Sequence, residues 1–560
     1  MTTPQPGAAA SPPSGTGAPT ADSKPSHSPW LVLFVLCLGF FMILLDTTIV
    51  NIAIPNMIDR LHASLDQILW VLNAYILVYA VLLITAGRLG DLYGPKQLFM
   101  AGLLIFTLAS AACGIAHNPG QLIAARVAQG LGGALLTPQT LSVLTVIFPP
   151  QKRGAAFGIW GAVAGVATIA GPTLGGFIVT HWGWSWIFFV NVPIGVLALA
   201  LAAAVMPNLK LNRRHRLDLP GTVLATVGLF LVTYGLIEGQ PHDWGKVWGS
   251  ITITEVIVAG IVVLALFMIQ QYRQRDGEPL VPMAIFRDRN FSVMNFVGAT
   301  LGFGMLGLFL PIVIFLQSVL GLSALQAGLT TAPMSVVSMV VAPFAGRMAD
   351  RIGGKFILMA GLALFAVGTG LMTAAAHPDM NRWHLLPGLL VSGLGMGLTF
   401  APLQTVAMRN IEPRMAGAAS GLINTTRQLG SVIGSAAAGA LLQNQLATKL
   451  SASAKAHASA LPPQFRDRFV AGFSHASGGS LEVGAGQNGV NFGGQVPDAV
   501  RKIIVDTFHE GYTNAMRVSL ILPFAVLALA SLSCLLVKRR SRSGQADTPA
   551  GAGAPERVGA

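Results

Sequence analysis

Fourteen stretches of about 19 to 30 nearly uncharged residues recur along the chain, and they leave little freedom in what it can fold into. About 18 such residues in a row suffice to cross the roughly 30 Å hydrocarbon layer as a helix. Helix is also the only local structure that satisfies its own backbone there. The stretches lie at about 30–54, 68–86, 97–117, 121–148, 154–180, 184–206, 219–237, 250–271, 290–319, 324–345, 356–376, 385–408, 415–444 and 517–537. They predict an all-α polytopic membrane protein. Composition agrees: 53% of residues are hydrophobic and 10% charged, against about 25% charged in a soluble domain.

A net charge of +13 would suit a nucleic-acid binder, but its distribution points to membrane topology instead. With the N-terminus inside, 23 of the 35 Lys and Arg fall on the inner side and ten on the outer; Arg126 and Arg427 lie within spans. Seven of the outer ten belong to the last external segment or its helix junction, and long segments weigh little in the positive-inside rule. Short inner segments carry the bias, notably Lys210, Arg213, Arg214 and Arg216, and Lys538, Arg539, Arg540 and Arg542. Both termini are therefore expected in the cytoplasm, with membrane lipids rather than nucleic acid as surroundings. Cys37, Cys113 and Cys534 all fall in predicted spans, which argues against a disulfide framework, and no metal-ligand spacing is visible. Residues 1–29 lack a signal peptide's basic region and cleavage site. They and residues 538–560 read as disordered cytoplasmic tails.

Two segments echo each other 259 residues apart. "GRLGDLYGPK" (87–96) follows the second span and "GRMADRIGGK" (346–355) the tenth, matching Gly87/Gly346, Arg88/Arg347, Asp91/Asp350, Gly94/Gly353 and Lys96/Lys355. "GLGGALLTPQT" (130–140) and "GLGMGLTFAPLQT" (393–405) echo at an offset of 263. The expected organisation is therefore a duplicated six-helix unit, 30–206 and 290–537, with two helices inserted in a linker at 207–289. Transporters are commonly built from such repeats, with the substrate site near the midplane between them. A long external loop, 445–516, is rich in Gly, Ser, Ala and Asn. Within it "PDAVRKIIVDTFHEGY" (497–512) has helical periodicity. The repeated charged turns read as structural latches on the inner face, with Asp91 placed to cap the third helix or pair with Arg88.

The chain has only 22 Asp and Glu, so each can be placed. Asp46 and Glu255 fall inside spans, and Glu238 at the outer end of the seventh. A charge at a helix centre costs about 2.5–3.5 kcal/mol on insertion scales and normally faces a cavity or a partner. Asp46 lies roughly 13 Å inward of Pro55 and Arg126 about 9 Å inward of Gly120 at ~1.5 Å per residue, so their depths are compatible. Burial disfavours a charged carboxyl while a neighbouring arginine favours it, a balance suited to exchanging a proton. A static structural pair is the alternative. Glu255 and Glu238 are expected at the interface, the first by snorkelling. Arg427, deep in the thirteenth span, is placed to bind an anionic group or to satisfy backbone carbonyls. Asn73, Tyr75, Gln139 and Gln404 are candidate cavity-lining groups, with helix-packing hydrogen bonds as the alternative. "GVATIAGPTLGG" (165–176) combines Pro172, able to kink the helix, with Gly165, Gly171, Gly175 and Gly176, which allow close packing.

These motifs together resemble the major facilitator superfamily, and within it the fourteen-helix, EmrB/QacA-like drug:proton antiporters. "GRLGDLYGPK" resembles the superfamily's signature loop, "RVAQGLGGALLTP" (126–138) the motif of its proton-coupled exporters and "GVATIAGPTLGG" the antiporter motif. "LDTTIVNIAIP" (45–55) and "WSWIFFVNVPIG" (184–195) resemble first- and sixth-helix signatures of the fourteen-helix branch, although Ser185 stands where Arg is common. The resemblance covers about residues 30–445 and the last helix. It implies a role for Asp46 and Arg126 in proton coupling.

The function expected is secondary active efflux of a small amphipathic or cationic drug from a bacterial cell, by proton antiport with alternating access. A dedicated exporter of one antibiotic, lipid or siderophore is the alternative, and a nutrient importer a weaker one. An enzyme is not expected, because the eleven His are scattered and no catalytic constellation stands out. No cofactor is expected either: both GK dipeptides, at 245–246 and 354–355, lack the Walker spacing.

Overall fold

The computed structural model describes residues 28–209, 218–239, 241–274, 279–412, 415–461, 463–474 and 498–538. Both tails as far as residues 27 and 539, the basic loop 210–217 and the glycine-rich stretch 475–497 lie outside the described residues. The first half comprises α1 (Pro29–Leu61), α2 (Leu65–Tyr93), α3 (Pro95–Gly114), α4 (Pro119–Ile147), α5 (Arg153–Trp182), α6 (Trp186–Phe189) and α7 (Asn191–Val205). The inserted pair is α8 (Leu219–Glu238) and α9 (Ile253–Arg273), joined by a two-stranded hairpin, β1 (Lys246–Trp248) and β2 (Ile251–Thr252). The second half comprises α10 (Arg289–Ile314), α11 (Ala324–Ile352), α12 (Lys355–Ala375), α13 (Leu386–Gly397), α14 (Phe400–Ala407), α15 (Ala416–His457), α16 (Pro463–Ser474), α17 (Asp498–Ser519) and α18 (Ile521–Ser533).

Among the described residues, thirteen helical stretches are long and apolar enough to cross a membrane. The remaining expected span falls in α15, whose Ala, Gly, Ser, Thr and Asn lower its hydropathy and let it pack closely against α2, α10 and α17. Other departures have local causes. The sixth span is split at Val190, and the twelfth at Leu398 and Thr399 within a glycine-rich stretch. The thirteenth continues as helix to His457, well into the stretch expected as external loop, because α17 packs along it. The helix expected over 497–512 is α17. The inserted pair sits on the first half's edge: Ala225 and Leu229 of α8 share a core with Leu77, Val81 and Ile84 of α2, and α9 packs on α8.

The duplication is visible in detail at α2 and α11. Each is 29 residues long, and each opens with a capping box, Ser64 with Gln67 and Ser323 with Gln326. Reciprocal side-chain bonds of this kind satisfy the first free N–H groups of a helix. Each ends on a glycine in the left-handed region, Gly94 (φ 97°) and Gly353 (φ 87°), where a side chain would be strained. The matching lysines then close other helices: Lys96 Nζ donates to the Ala203 and Met206 carbonyls (2.9 and 2.7 Å) at the end of α7. Lys355 Nζ donates to the Leu535 and Val537 carbonyls, both at 2.7 Å, after α18. A cation there suits the negative end of the helix dipole.

Asp91 does not cap the third helix. Its carboxylate accepts from the Gly417 and Ala418 N–H groups, both at 2.9 Å, at the start of α15 in the other half. Asp350 does the same in reverse, accepting from Gly154 (2.7 Å) and Ala155 (3.0 Å) at the start of α5. Each half thus holds the first turn of a helix from the other. Glycine permits the approach: a Cβ on Gly87 would strike Gly417, and one on Gly346 would strike Gly154. The receiving segments, "GAAFG" (154–158) and "GAASG" (417–421), are themselves a repeat offset by 263, which marks them in the sequence. Arg88 is buried whereas its counterpart Arg347 is exposed, so the two latches are not identical.

Losing a cap of this type costs about 0.5–2 kcal/mol, enough to shift an open–closed balance several-fold. Asp350→Ala is therefore expected to raise the alkylation rate of a cysteine placed at Ala342, buried on α11 in the α5 seam. The background would carry Ser at Cys37, Cys113 and Cys534. An unchanged rate would reduce Asp350 to a cap with no hold on the seam.

Candidate functional site

Asp46 and Arg126 are in contact. Asp46 is fully buried and Arg126 is 1% exposed, with Arg126 Nη1 2.5 Å from Asp46 Oδ2. The site draws on six helices of the first half, α1, α2, α3, α4, α6 and α7. Arg126, a quarter of the way along α4, also donates through Nε to the Val71 carbonyl of α2 (3.0 Å) and through Nη1 to Gln129 Oε1 (2.7 Å). Gln129 Nε2 returns to Asp46 Oδ1 (2.8 Å), and Asn191 Nδ2, from the first residue of α7, reaches the same oxygen (3.2 Å). Asn191 is steadied by Ser110 Oγ of α3 (3.2 Å). The Tyr75 ring lies 4.2 Å from the guanidinium carbon and the Phe188 ring 5.9 Å, closing the pocket with aromatic faces. Both carboxylate oxygens have partners in this polar network within an apolar core, while the buried Asn191 Oδ1 has no hydrogen-bond partner among the described residues.

Gln129, Asn191 and Ser110 do not stand out in the sequence reading. Gln129 follows Arg126 by three residues, one helical turn, which brings it to the same face. Asn191 lies inside "NVPIG", at the point where the sixth span breaks; the break lets α7 start with this amide aimed at Asp46.

The α5 glycines divide between two neighbours. Gly154, Gly158 and Gly165 face α11, where a Cβ would strike Gly346, Ala342 or Ser335. Gly171 and Gly175 face α1, against Thr48 and Ile49. Thr48 Oγ1 also lies 3.4 Å from the Ala167 carbonyl. Gly176 has only loose contact with Leu325. The side chain of Pro172 lies outside the described residues. Helix α5 is thus wedged between the helix that carries Asp46 and a helix of the other half.

The halves close together at the latched end and part towards the other. Ser420 Oγ of α15 donates to the Pro138 carbonyl of α4 (3.0 Å), and α4 is buried without interruption from Gly132 to Thr145. Along the same face of α4, spaced as i, i+4 and i+11, Val127 (42% exposed) and Leu131 (37% exposed) precede Pro138. The face that meets α15 at Pro138 is therefore uncovered farther along.

The family model described as Major Facilitator Superfamily matches residues 36–435. The chain belongs to the major facilitator superfamily. The tetracenomycin C resistance and export protein of Streptomyces glaucescens is 32% identical over 532 residues, 94% of this chain and 95% of that one. The multidrug resistance protein Stp of Mycobacterium tuberculosis is 33% identical over 506 residues, covering 90% and 91%. The crystal structure of the human organic anion transporter MFSD10 superposes with a TM-score of 0.56 at 13% identity, over 90% of this chain and all of that one, a likeness of fold alone.

As a major facilitator protein the chain is a multi-pass transporter of the cell membrane, and its other polar candidates can be placed in that frame. Tyr75 is packed under Arg126 rather than on a cavity wall. Gln139 bridges α4 to α2 by donating to the Ala86 carbonyl (2.8 Å), a packing role. Gln404 is buried in α14, and Asn73 half-buried in α2. Glu255 lies in the first turn of α9, which begins at Ile253, and is its exposed capping-box residue, accepting from Thr252 N (2.7 Å). The expected span began three residues too early. Glu238 is the last residue of α8, buried, with its carboxylate 3.2 Å from His242 Nδ1. Arg427 is half-buried on α15, its Nη2 3.3 Å from Asn424 Oδ1.

Proposed function

We propose that the protein exports small amphipathic compounds in exchange for protons, its halves rocking about the cleft between α4 and α15. The observation that carries this reading is the sealed Asp46–Arg126 pair, built into α1 and α4 beside the α5 wedge. The resistance and export functions named for the tetracenomycin C and Stp relatives support the direction of transport. The Lys and Arg distribution supports a cytoplasmic position for the latched end.

In this scheme a proton reaching Asp46 from outside neutralises the carboxylate and dissolves its ion pair with Arg126. The hold of α1 on α4 and α7 weakens, and the change passes through Thr48 and Gly171 to α5 and on to α11 in the other half. The latches release, the cleft opens inward and the proton leaves. Anionic Asp46 pairs with Arg126 again, and that form loads the compound. One charge moving through 100 mV supplies about 2.3 kcal/mol. At about 1.4 kcal/mol per tenfold ratio, that sustains a gradient of some tens-fold for a neutral compound.

Cells producing the chain are expected to retain less of an amphipathic dye than cells without it, and a protonophore should remove the difference. Export that survives the protonophore would contradict proton exchange. A panel of compounds in the same assay addresses a second reading, a dedicated exporter of one metabolite. That reading is favoured by near-full-length similarity to a protein named for one compound, tetracenomycin C. Protection against a single compound would select it.

A further inference from the structure

We infer that Arg427 forms a subsite for an anionic oxygen group in the cleft, so that the preferred substrate is an amphiphile bearing a carboxylate or phenolate rather than a lone cation. This deepens the export reading, on which it rests only for calling the bound compound a substrate. The placement follows from the helix geometry. Ser420 of α15 meets Pro138 of α4 where the cleft closes. Arg427 is seven residues beyond Ser420, about two turns or 10 Å along the same face of α15. The two helices run antiparallel, since α15 starts at the latched end and α4 finishes there. Seven residues back from Pro138 on α4 is the exposed Leu131. Half-buried Arg427 is therefore at the level of α4 where Leu131 is uncovered, beyond the point where the two helices meet.

The electrostatics of that space are one-sided. Asp46 and Arg126 neutralise each other out of contact with the cleft, exposed by 0% and 1%. The sequences of α12, α13, α14, α15 and α18 contain no Asp or Glu, and the acid of α11, Asp350, is committed to the α5 latch. The carboxylate that α17 presents to α15, Glu510, bonds to Ser453, which lies 26 residues beyond Arg427, or roughly 39 Å along a helix. Among the described residues, Arg427's own side-chain bond is to the neutral Asn424 amide. A guanidinium has five donors in a fork matched to a carboxylate, and Arg427 is only half-buried. An apolar wall opposite a cation receives the two ends of an acidic amphiphile. Of the amphipathic and cationic drugs expected from the sequence, it favours the amphipathic ones that carry an acid.

The test compares rhodamine B, which carries a free carboxylate, with its ethyl ester, in which that group is blocked. Binding to the purified full-length protein in phosphatidylcholine nanodiscs is read by fluorescence anisotropy. The wild type is expected to bind the acid about tenfold more tightly than the ester, the value of one charge-assisted bond. Arg427→Gln should abolish the preference and Arg427→Lys should keep part of it. Equal or tighter binding of the ester by wild type, no binding of either dye, or an unchanged preference in Arg427→Gln would overturn the inference. Competition by phosphatidylglycerol would keep the anion subsite and name a lipid phosphate as its occupant. No pH gradient is present, so failure of proton coupling and failure of this subsite give separate results.

Discussion

Asp46→Asn is expected to lose concentrative transport while still exchanging labelled for unlabelled compound across a proteoliposome membrane. Asparagine keeps the shape of the carboxylate, and its Oδ1 can accept from Arg126 or Asn191, while Gln129 can turn its own amide to match the new donor. The network of α1, α4 and α7 should thus remain assembled. What the substitution removes is a group that can be both neutral and charged. Without it, an imposed pH gradient has no means of biasing the two conformations, and a gradient of some tens-fold should fall to equilibration. Counterflow, which needs only the moving halves, should continue at a comparable rate. Accumulation at the wild-type level would remove Asp46 from coupling and leave the pair as a structural tie.

The second large effect concerns Arg126. Arg126→Met leaves Asp46 buried with only amide partners, and breaking a buried pair from one side typically costs about 3–5 kcal/mol. A sharp fall in thermal stability of the detergent-solubilised protein is expected, or loss of the folded peak in size-exclusion chromatography. The double variant Asp46→Asn, Arg126→Met removes both charges and should recover most of that loss, because the penalty belongs to the unpaired carboxylate rather than to the missing arginine. Equal stability of the single and double variants would show that Arg126 acts through packing on Tyr75 and Phe188 instead.

Why some of this could be read from the chain and some could not has physical reasons. Long apolar runs mark spans because the bilayer imposes length and hydropathy directly. Only α15 blurs that signal, its small polar residues being chosen for close packing with α2 and α10. The pairing of Asp46 with Arg126 was within reach because each is costly alone and their depths match. Gln129 and Asn191 were not, since an amide has many satisfactory environments and its partner is set by tertiary contact. The repeated loops announced a latch, yet the residues they hold lie more than 190 positions away in sequence. Spacing within a loop cannot show that. The eighth span starts three residues later than expected because a hydropathy window does not see a capping box, whereas Thr252 and Glu255 set the start of α9.

Central to the account is that Asp46 carries the proton, and the proton itself can be watched. Purified protein reconstituted in weakly buffered liposomes with an internal pH-sensitive dye would receive a pulse of external substrate. Run in the direction of exchange, wild-type protein should change the internal pH in step with substrate entry, and Asp46→Asn should move substrate with no pH change. A pH change of equal size in Asp46→Asn would contradict the account.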